Sequence, residues 1–308
     1  MRRLAMLAAL AASITTAHPA AAGVVATFQR SWQVMGPAEE IALAPDGKVW
    51  VYAHAPARLE VYSTDRTLLR TMNSPNAGAP IELVNYNAHV AFLPNGDAVV
   101  ADDTRLIRFS PSGDFIKAWP VALNWCNGIA ADEAGFVYVT ACAPNSSYSI
   151  AIIKFDTNSE SVVGSWPLTN GGTGLAYSSG TLITAAYGTY PRAEMRSTSG
   201  VMVGTFALPY RDLPQAMTAD ADSRVYLPNV VRNFVTIADF SGAVLGYAGN
   251  LAVSPIPEGR MSIPRGVAAR GNVLVVSDTG NNRVLEYWIT DATPTQTTTW
   301  GRLKSLYR

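Results

Sequence analysis

Few residues in this chain can move protons or hold a metal ion. Of three histidines, His18 lies in an apolar N-terminal stretch, which leaves His54 and His89. There is no His-Glu-x-x-His pair for zinc, no Gly-x-Ser-x-Gly elbow and no phosphate-binding Gly-Lys-Ser/Thr loop. With two histidines, a Ser-His-Asp triad has little to draw on. The remaining material is oxygen: Glu39 and Glu40 before an apolar run, Asp102 and Asp103 after another, and Asn127, Gln215 and Asn229 at comparable points. Two imidazoles with Glu40 could form a zinc site of two histidines and one carboxylate if the fold brings adjacent segments together, whereas carboxylate and amide oxygens suit calcium. The competing reading is polar rim residues with no chemistry at all. Which applies depends on the elements that carry them.

Those elements repeat. Short apolar runs centred on Ile41, Val90, Ile129, Leu175, Met217 and Val267 recur 39 to 50 residues apart. Tight turns follow, such as Pro45-Asp46-Gly47, Pro94-Asn95-Gly96 and Asp132–Gly135, where Gly, Asn and Asp supply the positive φ that hairpins need. Second runs cover Val49–Tyr52, Ala98–Ala101, Phe136–Thr140, Thr181–Ala185, Arg224–Leu227 and Val273–Val276. Third runs end at aromatics such as Tyr62, Phe109, Phe155 and Tyr287. Fourth runs include Phe115–Trp119, Val162–Trp166, Met202–Phe206 and Val244–Tyr247. Four strands per unit, repeated round a closed ring, predict an all-β fold: a six-bladed β-propeller of four-stranded antiparallel blades. Val24–Trp32 and Thr297–Trp300 both have fourth-strand character. The N-terminal strand is expected to close the ring in the last blade, with the order of the two at its edge left open.

In such a ring, first-strand starts and second-strand ends share one face around the channel mouth. This places Glu40, His54, His89, Asp102, Asn127, Tyr187, Gln215 and Asn229 as candidate ligand-binding residues, with Glu39, Thr173, Arg265 and Asp278 nearby. Within this group, Glu40, His89 and Asn127 are the candidate ligands for a divalent cation, Ca or Zn.

The pattern Arg-hydrophobic-x-x-aromatic occurs at Arg58–Tyr62, Arg105–Phe109 and Arg283–Tyr287. With Ser277-Asp278-Thr279-Gly280-Asn281-Asn282, it resembles the NHL-repeat family of β-propellers, most closely over Pro264–Trp288. Physically, Asp278 and Arg283 read as blade fastenings, with Arg forking onto an Asp or carbonyls. Asn127-Gly128-Ile129, with Glu39 or Glu40, is similar to the oxygen-ligand pattern of gluconolactonase-type six-bladed propellers. That resemblance implies a metal-assisted hydrolase, although Gln215 stands where the family pattern has an Asp. A lyase of the peptidylglycine-amidating type would need more histidines than His54 and His89.

Cys126 and Cys142 flank a hairpin whose turn is Asp132–Gly135. Regular pairing sets them opposite each other, so a disulfide is expected. Met1-Arg2-Arg3, the apolar Leu4–Ile14 and Ala20-Ala21-Ala22 read as a signal peptide of residues 1–22, cleaved near Ala22/Gly23. The expected product is a secreted or periplasmic monomer, residues 23–308, with no second run of membrane length. Lys plus Arg and Asp plus Glu balance at 23 each, and only 15% of residues are charged. Nucleic acid is therefore excluded as a partner. The leading expectation is a binding module for a protein, peptide or glycan at the loop face; the alternative is a metal-dependent hydrolase or lyase at the same mouth.

Overall fold

The structure, a computed structural model, describes residues 23–73, 88–102, 105–121, 123–142, 150–168, 172–186, 191–209, 214, 216–249 and 257–292. The expected signal peptide (residues 1–22), Thr297–Trp300, Asp103, Tyr187 and Gln215 lie outside the described residues.

The first strand, β1 (Val24–Gln33), precedes the blades. Blade 1 is β2 (Ala38–Leu43), β3 (Val49–Ala53), β4 (Arg58–Tyr62) and β5 (Leu68–Asn73). Blade 2 is β6 (Ala88–Phe92), β7 (Ala98–Asp102), β8 (Arg105–Phe109) and β9 (Phe115–Pro120). Blade 3 is β10 (Asn124–Ala131), β11 (Phe136–Cys142), β12 (Ile150–Asp156) and β13 (Ser161–Pro167). Blade 4 is β14 (Thr173–Ser178), β15 (Thr181–Ala186), β16 (Arg192–Ser197) and β17 (Met202–Ala207). Blade 5 is β18 (Thr218–Ala219), β19 (Arg224–Asn229), β20 (Phe234–Asp239) and β21 (Val244–Ala248). Blade 6 is β22 (Pro264–Arg270), β23 (Val273–Asp278), β24 (Arg283–Asp291) and, outermost among the described residues, β1. Each sheet is antiparallel in this order, so the chain is a six-bladed β-propeller closed by its N-terminal strand.

Second strands are almost wholly buried because each blade is covered on both faces, and third strands are partly so. Fourth strands expose the outer edge, and all six carry a β-bulge against their third strand. Such bulges twist an exposed edge away from foreign strands.

The arginines of the recurring pattern fasten hairpins, as expected. Arg283 Nε donates to Asp278 Oδ2 at 2.7 Å and its guanidinium reaches the Arg260 carbonyl. Arg105 forks onto both oxygens of Asp102. Blades 1 and 4 use another solution: where Ala53 or Ala186 replaces the Asp, Arg58 and Arg192 turn to Glu60 and Glu194, two residues further along their own strand.

The expected disulfide is not formed; Cys126 and Cys142 are both buried thiols. Near the turn the hairpin is regular, with Ala131 opposite Val137 and Gly128 opposite Thr140. Two bulges then intervene, pairing Cys126 with Ala141 and Cys142 with Asn124. Neighbouring residues of a strand face opposite sides of the sheet, so the two sulfurs diverge.

Candidate channel-mouth site

The six first strands surround a central channel with a cavity of about 190 Å³. The residue before each central apolar residue is in turn Glu40, His89, Gly128, Gly174, Ala216 and Gly266, and the first five of these line the cavity. In blades 3 and 6 the ring closes against a neighbouring backbone. A Cβ on Gly128 would stand 2.5 Å from the Leu175 nitrogen, and one on Gly266 would stand 2.8 Å from that of Ile41. Only blades 1 and 2 carry functional side chains there, and these two meet: His89 Nδ1 and Glu40 Oε2 are hydrogen-bonded at 2.9 Å. Both are mostly buried, at 13% and 11% side-chain exposure.

A second pair adjoins the first. His54, in the turn after β3, has Nδ1 2.9 Å from Oε1 of Glu39. The other oxygen of Glu39 accepts from the Arg265 guanidinium of blade 6. Successive residues of a regular strand point to opposite faces. Here a register shift between Ala38 and Glu40 makes Glu39 an extra residue, and a bulge of this kind re-aims a side chain. Shifts at the same place put Asn127 of blade 3 between Cys126 and Gly128, and Arg265 of blade 6 between Pro264 and Val267. His89 is thus held through Nδ1 by a hydrogen bond to Glu40, while His54 Nδ1 stands beside the preceding Glu39 without hydrogen-bond geometry.

Around this polar mouth the loop face shows apolar side chains. Trp125 is 70% exposed, and Met35, Val231 and Ile263 are also exposed. Trp125 and Ile263 sit in the left-handed region, at φ 53° and 52°, an uncommon conformation for bulky residues. At the opposite end of the channel, the Tyr177 hydroxyl donates to Glu133. Burial first, and that carboxylate second, push Tyr177 up to about 12.

The sequence-derived candidates therefore divide. Glu40 and His89 come together in the channel, His54 lies beside Glu39, the residue before Glu40, and Asn127 stands on its bulge one blade on. Asp102 is fully buried and engaged by Arg105, and Asn229 Oδ1 accepts from the Val231 and Arg232 amides, so both hold hairpins together. Glu39 and Arg265 pair with each other across blades 1 and 6, each at a register shift that leaves no mark in residue types. In the proposed cation set of Glu40, His89 and Asn127, one Glu40 oxygen and His89 Nδ1 engage each other, which leaves the second carboxylate oxygen and Nε2 as the atoms that could face an ion. Among the described residues, no three His, Cys, Asp or Glu side chains gather as a metal site.

No protein-family model and no curated protein sequence matches the chain. Solved structures do. A gluconolactonase from Xanthomonas campestris aligns at TM-score 0.62 and 12% identity, over 90% of this chain and 99% of that one. A putative gluconolactonase aligns at 0.64 and 13%, over 86% and 92%. A streptogramin B lyase aligns at 0.60 and 12%, over 87% and 98%. At such identities the likeness is one of fold: this chain has the propeller architecture that these enzymes share.

Proposed function

We propose that the protein is an exported, NHL-like propeller that hydrolyses small esters or lactones at its loop-face channel mouth, with His89 as general base and Glu40 as its positioning partner. The observation that carries this is the Glu40–His89 hydrogen bond at positions where the other four blades have only Gly or Ala. Folding does not require it, and burying a carboxylate and an imidazole has a desolvation cost that Gly or Ala would avoid. Holding the ring through Nδ1 fixes its orientation and leaves Nε2 on the far side to take a proton from water. As water attacks the carbonyl, its proton passes to Nε2 and the Glu40 carboxylate stabilises the imidazolium. The likeness to gluconolactonase and lyase structures supports small-molecule chemistry at this mouth, and the signal-like N-terminus supports export.

The exposed Trp125, Ile263 and Met35 favour a second reading, ligand binding without turnover, which preserves the expectation of a binding module. Hydrolysis of γ-butyrolactone, D-glucono-δ-lactone and 4-nitrophenyl acetate by the wild type and His89→Gln separates the two. The expected result is turnover by the wild type and a loss of about 10²–10⁴-fold in kcat/KM in the variant, with an unchanged circular dichroism spectrum. Absence of turnover, or equal rates in both proteins, overturns the enzyme reading.

A further inference from the structure

Building on the hydrolase reading, we infer that His54 is the general acid of the same site, with Glu39 and Arg265 as its positioning residues. Ester or lactone hydrolysis needs two proton transfers: one from the attacking water and one to the departing oxygen. A single imidazole can serve both in sequence, but two imidazoles with separate supports can divide them. The mouth has two. The bulge at Glu39 lets two consecutive glutamates serve one site: Glu40 holds His89 of blade 2, and Glu39 stands 2.9 Å from His54 of blade 1.

Glu39 is fixed by Arg265 on one oxygen, and its other oxygen stands 2.9 Å from His54 Nδ1. The turn that carries His54 is tied to the entry of β2 by its own backbone N–H, which donates to the Pro37 carbonyl at 3.2 Å. At 24% side-chain exposure, His54 is the more accessible of the two imidazoles. The hairpin that carries His54 does not depend on this contact, because Arg58 and Glu60 already fasten it.

The step balances without a co-reactant. Water oxygen forms a bond to the carbonyl carbon while its proton goes to His89 Nε2. The tetrahedral intermediate then collapses, the carbon–oxygen bond to the leaving group breaks with its electron pair on that oxygen, and protonated His54 gives it a proton. Bulk solvent then returns His89 and His54 to their starting forms.

General-acid help matters in proportion to how poor the leaving group is, and the test uses this. 4-Nitrophenolate leaves unaided, whereas the alkoxide of γ-butyrolactone does not. His54→Gln is expected to lower kcat on γ-butyrolactone about 10²-fold while 4-nitrophenyl acetate hydrolysis stays within about twofold. His89→Gln lowers both. An equal fall on both substrates in His54→Gln, or no fall on the lactone, overturns the general-acid role while the hydrolase reading stands. A wild type inactive on both substrates overturns the hydrolase reading, and the general-acid role with it. If His54→Gln does not fold, Glu39→Gln is measured on the same substrates, and the same selective loss on the lactone is required.

Discussion

Deleting Gly23–Gln33 is expected to leave a chain that does not fold, rather than one that melts a few degrees earlier. β1 pairs with β24 along its whole length, from Val24 opposite Asp291 to Gln33 opposite Arg283. It also staples three blades together. Val24 is buried with Tyr226, Val235 and Tyr287 of blades 5 and 6, and Trp32 packs in the cluster shared by blades 6 and 1. Arg30 donates to Glu286 and to the Thr64 and Asp65 carbonyls of blade 1. Each large apolar side chain uncovered costs about 1.5–3 kcal/mol. Several such losses, together with an open ring edge, exceed a typical stability of about 5–15 kcal/mol. Circular dichroism and thermal melting check this. A deleted chain that stays soluble and melts within about 2 °C of the full chain would show that β1 does not close the ring.

Glu60→Ala is the single substitution expected to cost most. Glu60 is fully buried; it accepts from Arg58 Nε at 2.6 Å, from the Tyr62 hydroxyl and from the Met35 amide at 3.3 Å. Burial first, and this carboxylate second, push Tyr62 well above the ordinary phenol range. Removing Glu60 strands Arg58, itself 2% exposed, as an unpaired buried charge. Breaking such a pair from one side costs about 3–5 kcal/mol. At roughly 2–4 °C per kcal/mol, thermal melting should fall by about 6–20 °C. The paired replacement Arg58→Met with Glu60→Leu should recover part of the loss, since the cost lies in the stranded charge. A single variant within about 2 °C of wild type contradicts this account of the fastening.

Both predictions concern the fold, which was the part most legible in sequence. The recurring apolar runs and Gly/Asn/Asp turns mark blade period and strand order directly, because hairpin turns demand particular residues. The closing role of Val24–Trp32 could be read from its fourth-strand character. Bulges could not be read, since an extra residue in one strand changes register without changing composition. That is why Cys126 and Cys142, symmetric about their turn, do not meet, and why Glu39 was ranked below Glu40. Asp102 and Asn229 were placed at the mouth because second-strand ends supply both mouth residues and hairpin fastenings. What separates the two is the partner: Arg105 for Asp102, and two turn amides for Asn229. The Glu40–His89 pair was visible as two residue types in adjacent blades, but its direct hydrogen bond was not.

The central claim is that Glu40 holds His89 through Nδ1 and so presents Nε2 as the base. Nitrogen-15 NMR of the full chain with labelled histidine, at a pH where the His89 ring is neutral, reads the tautomer directly. The account predicts the proton on Nδ1, moving largely to Nε2 in Glu40→Ala. A wild-type His89 carrying its proton on Nε2 would contradict it.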